Sequence, residues 1–265
     1  MLTSQKKQHI PQCFNVIKKT LSDSSALYII DLKEITPELE TFINQQLTLI
    51  HSANEYDFER TKKILRKTFD TKDRSDVIHD VKMGAIAEFF IHLFFSYLDF
   101  KQECLFINLE EIHGIKKGHD GYYSFENESW IMESKSSRNS ASHVENIKDA
   151  YKDISKKVSG KSTNKNNPWA NALHHANAVK SNNDILKRIK KLSEDFIDGI
   201  FHDVSEFNII PSSTVFFDGN WSQLDYEEIF RKIDNYVPNM NYKKMNVICI
   251  TQKTVNLFLD YIDKK

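Results

Sequence analysis

The sequence is poor in the residues that break or loosen a chain. Seven Gly and five Pro among 265 residues exclude collagen-like, proline-rich and Gly/Ser-tethered architectures. A chain of this length and composition is read as a single domain spanning 1–265. Long apolar runs are also missing. The longest apolar cluster, Ile86 to Leu98, is interrupted by Glu88, His92 and Ser96, so no segment reads as a transmembrane helix and no membrane partner is expected. Cysteines are few and odd in number. Cys13, Cys104 and Cys249 lie far apart, which argues against a disulfide framework and leaves no pair at zinc-ligand spacing. The lysines of Met1 to Lys7 have no apolar stretch behind them, so no signal peptide is expected. A cytoplasmic location with reduced thiols follows as the expectation. Walker loops, Gly-rich dinucleotide motifs and nucleophile elbows are likewise absent.

What is present is an ordinary globular balance, 40% hydrophobic and 28% charged. The net charge of -1 hides an asymmetry. Lys148 to Lys191 holds eleven Lys/Arg against three Asp, a local +8, which leaves -9 for the rest. A basic segment on an otherwise acidic protein points to a polyanion-facing surface, or equally to a solvated helical face.

Periodicity and punctuation give a coarse element map. Ala26 to Leu32 reads as a strand. Thr36-Pro37-Glu38 opens a helix, with Thr at the N-cap and Pro at the first position. A second helix spans Asp57 to Thr68. Ser75 caps a long helix reaching Leu98, whose apolar residues cover most of the circumference and predict deep burial. Cys104 to Leu109 reads as a strand, and Gly118 to Gly121 as a turn. Tyr122 to Phe125 and Trp130 to Lys135 form two strands joined by Glu126 to Ser129. Helices follow at 141–158, from Pro168, and at 184–201. Thr214 to Phe217 is a strand, Tyr226 to Tyr236 a helix, Asn246 to Thr251 a strand, and a last helix ends the chain. This order predicts an α/β fold, with a mixed central sheet flanked by helices.

The chemistry concentrates in Gly118-His119-Asp120-Gly121 and in Trp130-Ile131-Met132-Glu133-Ser134-Lys135. Strand periodicity places Glu133 and Lys135 on one face. Asp120 begins the partner strand of the hairpin, so its carboxylate can meet that of Glu133. Two carboxylates held close repel unless a cation sits between them, and oxygen donors with open positions suit Mg²⁺ or Mn²⁺.

Asp, a hairpin of about a dozen residues, then Glu-x-Lys resembles the signature of the PD-(D/E)xK nucleases. The resemblance implies a restriction-endonuclease-like core over approximately 75–160, with αβ additions at 1–74 and 161–265. It implies metal-dependent phosphodiester hydrolysis. Asp120, Glu133 and the backbone carbonyl of Ser134 would hold the metal, and Lys135 would orient or deprotonate the attacking water. The helical Glu88 would hold a second metal or a metal-bound water. His119 stands where the family usually has Pro. Pieces of 81–154, GAIAEFFIHLFF, GHDGYYSF and WIMESKSS, also resemble the nuclease subunit of the Hachiman anti-phage defence systems. That resemblance implies DNA as substrate and a superfamily 2 helicase as controlling partner.

Lys148, Lys152, Lys156 and Lys157 recur near one helical face beyond the Glu-x-Lys strand and are candidate phosphate contacts. Asn139 and His143 follow that strand closely enough to meet substrate. Adjacent His174 and His175 point about 100° apart on a helix and are read as surface or packing residues, as are Trp169 and Trp221. Two other readings remain open. One is a stand-alone restriction or repair endonuclease; the other is a non-catalytic interaction subunit with a structural carboxylate cluster.

Overall fold

The computed structural model describes residues 13–69, 80–106, 118–138, 142–163, 166–217, 221–222 and 224–264. Its strands are β1 (Val16–Ser22), β2 (Ser25–Leu32), β3 (Lys101–Gln102), β4 (Gly121–Phe125), β5 (Glu128–Arg138), β6 (Asn208–Phe216) and β7 (Lys244–Gln252). They form one seven-stranded sheet in the order β1-β2-β7-β6-β5-β4-β3. The centre, β2-β7-β6-β5, is parallel. Both margins, β1 on β2 and β3-β4 on β5, are antiparallel.

Period-two alternation along the central strands feeds two separate cores. Tyr28, Ile30, Trp130, Met132, Ile210, Ile248 and Ile250 face one layer. It is built by α1 (Pro37–Ser52), α2 (Phe58–Phe69), α3 (Asp80–Tyr97) and α8 (Asn256–Asp263). Leu27, Ile29, Ile131, Ile209, Val247 and Cys249 face the other. That layer comprises α4 (His143–Val158), α5 (Pro168–Ala178), α6 (Asn183–Ile197) and α7 (Tyr226–Tyr236). The long helix α3 is buried nearly all round, with Phe89, Phe90, Phe94 and Phe95 each 0% exposed. Among the described residues no helix is long and apolar enough to cross a membrane.

Several sequence expectations need correcting. The strand β1 was not foreseen, because its VIKKTLS run is half polar and lies at the sheet margin. The strand expected over Cys104 to Leu109 is absent through Phe106; the short pairing strand falls earlier, at Lys101–Gln102, and 107–109 lie outside the described residues. The Ser75 cap also lies outside them. The helix expected to reach Phe201 stops at Ile197, where Gly199 takes a positive φ of 74°. The strand expected from Thr214 begins at Asn208, and all nine of its residues are buried. Pro211 disguised it, since proline cannot donate to a sheet ladder. The pairing of β6 with β7 accommodates this by skipping Ile210 and Pro211.

The segments expected as additions supply the marginal strand β1, and in β2, β6 and β7 most of the parallel centre, to the same sheet that carries β5.

Candidate active site

The β4-β5 hairpin builds the site. Its turn, Glu126-Asn127, has φ of 48° and 64°, the double left-handed geometry whose twist matches paired strands. The register pairs Gly121 with Met132, so Asp120 stands opposite Glu133 just as the β4 ladder ends. One oxygen of Asp120, Oδ2, accepts the Ser134 N–H at 2.8 Å. In an extended strand the N–H and C=O of one residue point the same way. The Ser134 carbonyl therefore opens toward the Asp120 side of β5, past the end of β4. Gly121 keeps this corner tight. A Cβ there would meet Tyr123 Cε2 at 2.8 Å and Met132 Cε at 2.9 Å.

Glu133 is 2% exposed and faces α4. Its Oε1 accepts from the Lys157 ammonium at 2.6 Å and lies 3.0 Å from His119 Nδ1. Burial alone pushes the Glu133 carboxyl up, but Lys157 and His119 outweigh it and hold the group at about 2, against an ordinary 4.5. Lys157 also donates to the Gly118 carbonyl at 2.8 Å. It thereby fastens α4 to the loop that carries His119 and Asp120. Burial works against the Lys157 charge too, and Glu133 and Asp120 reverse it, raising the pKa. Lys135, on the same face, pairs with Asp153 of α4. There again burial opposes the charge, and Asp153 restores it and raises the pKa, with Glu133 and Asp120 contributing.

The result is three carboxylates (Asp120, Glu133, Asp153) interleaved with two ammonium groups at the end of one hairpin. Asp153 and Lys157 are four residues apart on α4, so both reach inward from one helical face. Sequence reasoning passed over Asp153, and took His119 only as a substituted proline. The i, i+4 spacing of Asp153 and Lys157 was the available signal.

The expected phosphate contacts divide. Lys148 pairs with Glu145 at 2.8 Å and lies over the Tyr236 ring at 5.0 Å; Lys152 pairs with Asp149 at 3.1 Å. Lys152 and Lys156 are exposed on the outer side of α4. Lys157 turns inward onto Glu133 instead, because a buried carboxylate without a cation would be costly. His143 is also internal. It is 4% exposed and bridges Ser213 Oγ at 2.8 Å and Thr251 Oγ1 at 3.1 Å. Burial lowers its pKa to about 3, so it is a neutral tie between α4 and the sheet rather than a group meeting substrate. Asn139 lies outside the described residues.

Glu88 stands on α3, in the opposite layer from Glu133. Gly84, one turn earlier, approaches Ser136 Oγ, so this side of α3 overlies the Ser134-Ser136 face of β5. Glu88 and Asp120 both act on the buried Tyr123 phenol. Its pKa is raised well above the ordinary value, first by burial and then by Cys104 and these two carboxylates. His175 is buried and accepts the Leu105 N–H at 3.0 Å, and Trp169 is 1% exposed. Both pack as expected.

Asp120 and Glu133 offer only oxygen donors, the kind that suits a hard divalent ion. Among the described residues no three Asp, Glu, His or Cys side chains converge on one point. An ion here would therefore rest on these two carboxylates and the Ser134 carbonyl, with water or phosphate completing its shell. No model of a known protein family matches the chain, and no curated protein matches it.

Proposed function

We propose that this protein is a metal-dependent phosphodiester hydrolase with Asp120, Glu133 and Lys135 as its working groups. The observation that carries the reading is the corner itself. Asp120 binds the backbone of Ser134, between Glu133 and Lys135, at a point where β4 has ended and no further strand among the described residues pairs with that side of β5. That is the arrangement expected of a restriction-endonuclease-like core.

When bound, Mg²⁺ or Mn²⁺ at Asp120, Glu133 and the Ser134 carbonyl would polarise a phosphate and lower the pKa of attacking water. Glu133, held ionised, supplies charge without needing to lose a proton first. Lys135 is kept protonated by Asp153, which suits it to stabilise charge developing on a phosphate oxygen better than to remove a proton. Lys152 and Lys156, with Lys148 beside them, offer phosphate contacts along α4. Glu88, on the α3 side, would be a further carboxylate for a metal-bound water. By its resemblance to the Hachiman nuclease subunit, the substrate is DNA. On the same ground the chain works in the cytoplasm as an anti-phage effector controlled by a superfamily 2 helicase.

One observation favours a second reading, a structural carboxylate cluster in a non-catalytic subunit: Glu133 Oε1 already holds Lys157 and His119. Plasmid degradation with Mg²⁺ or Mn²⁺, by the chain alone and with an adjacently encoded helicase, separates the two. Metal-dependent cutting that disappears in both Glu133→Ala and Lys135→Ala is the expected result. No cutting by wild type in any condition, with the variants equally protective in cells facing phage, would establish the structural cluster instead.

A further inference from the structure

A second concavity lies at the other end of β5, about 560 Å³ in volume. Its walls come from the start of β4-β5, α6 and the segment leading into β6. It has three chemically distinct parts. The first is flat and apolar: Tyr122, Ile131, Trp169 and Phe207 line it, with the last two rings stacked at 5.5 Å and 19°. The second holds a buried amide acceptor. Asn208 is 4% exposed and lines the pocket; its Nδ2 donates to the Ser129 carbonyl at 3.1 Å, which fixes the amide's orientation. Its Oδ1 is buried and has no hydrogen-bond partner among the described residues. An unsatisfied buried acceptor of this kind is costly, and a ligand bringing an N–H would remove that cost.

The third part is a cationic rim. Lys191 is committed to Asp195 at 2.8 Å, and His202 ties Asp195 and Glu206. Lys187 and Arg188 are exposed, and neither pairs with a carboxylate among the described residues; Arg188 donates only to the Asn127 carbonyl at 2.9 Å. Two cations at the mouth with no carboxylate partner among the described residues, a flat apolar wall, and an N–H-seeking oxygen inside define the ligand. We infer that this pocket binds a mononucleotide, its base against the aromatic wall with a ring or exocyclic N–H on Asn208 Oδ1, and its phosphate on Lys187 and Arg188. The volume is in the range of small-molecule sites, which run roughly 300–1,000 Å³. Charge-assisted contacts to Arg and Lys are the strong ones for phosphate. This inference does not depend on the hydrolase reading, since none of Asp120, Glu133 or Lys135 lines the pocket.

The test is calorimetric titration of the full chain with AMP, GMP, adenosine and ribose 5-phosphate. AMP or GMP should bind saturably at one site, with adenosine and ribose 5-phosphate each at least about tenfold weaker, a difference of about 1.4 kcal/mol. Lys187→Ala and Arg188→Ala change exposed positions that leave the core untouched; together they should weaken the nucleotide about tenfold or more. Lys135→Ala should leave its affinity within twofold. No saturable binding of either nucleotide would overturn the inference. So would ribose 5-phosphate binding as tightly as AMP, indifference to the Lys187/Arg188 pair, or loss of binding in Lys135→Ala, which would put the nucleotide at the other end of β5.

Discussion

At the scale of single residues, the chemistry is set by whether a charge has a partner once it is buried. Glu133 and His143 are both buried and solve the problem differently. Glu133 stays charged because Lys157 and His119 meet it, whereas His143 gives up its charge because only hydroxyls do. Both solutions make acid destabilising. Glu133 has a folded pKa of about 2 against 4.5, so its contribution is complete above about 4.5 and is lost as pH falls toward 2. His143 at about 3 and His51 at about 4, each lowered by burial from 6.5, are protonated more readily in the unfolded chain. Stability is therefore expected to fall as pH drops below 6.5, with Glu133 adding to the loss below 4.5. Denaturant titrations from pH 8 to pH 4 should show this slope, and His143→Gln should make it shallower between pH 6.5 and 4. Removing the cation alone is harsher. Lys157→Met leaves Glu133 buried and opposed only by His119, and should cost about 3–5 kcal/mol, while Lys157→Met with Glu133→Leu should recover part of that. If the double variant is no more stable than the single one, Lys157 is not the partner that keeps Glu133 charged.

At the scale of elements, the hairpin and the helix after it form one device. The turn at Glu126-Asn127 places two non-glycine residues at positive φ, a conformation that costs roughly 1–2 kcal/mol per residue outside glycine and asparagine. Glu126→Asn is expected to raise stability by about 0.5–1 kcal/mol without moving the strands, measurable as a higher melting temperature. A drop in stability would mean that Glu126 makes a compensating contact. The helix α1 illustrates the opposite case, where sequence and geometry agree. Thr36 Oγ1 accepts the Leu39 N–H at 3.3 Å and Pro37 starts the helix, so Thr36→Ala should cost about 1 kcal/mol. The elements legible in the sequence were those whose local signals had no rival: α1, α4, α7, the hairpin and β7. Those that were misread had a local signal overridden by position. Pro211 lies inside a central strand because the β6-β7 ladder skips it, and the polar β1 pairs at a margin where one side needs no apolar cover.

At the scale of the whole molecule, the sheet divides the apolar content into two cores that do not mix. On the α3 side the rings of Phe89, Phe90, Phe94 and Phe258 are fully buried, and Phe89 lies 4.5 Å from Phe258. Phe258→Ala is expected to cost about 3–5 kcal/mol. Because α8 joins α2 and α3 there, the loss should appear as one cooperative transition at lower denaturant. A separate early transition confined to the C-terminal helix would show instead that α8 folds independently. On the α4 side the same sheet offers its polar corner, with the second pocket a few strand residues away. Trp169 spans both, its ring 5.0 Å from that of His119 and stacked on Phe207.

The sequence by itself determined the α/β class, the hairpin, and the alternation that turns Glu133 and Lys135 to one face, because each follows from a period or a turn chemistry that local sterics enforce. It also nominated Asp120, whose place opposite Glu133 follows from hairpin register. Only the tertiary structure decided which cation meets which carboxylate: Asp153 on Lys135, and Lys157 on Glu133 rather than at the surface. It decided too that strands from 16–32 and from 208–252 share one sheet with the hairpin. The physical reason is that burial and pairing are properties of distance in space. Parallel strands brought together from opposite ends of the chain leave no local mark of their partners.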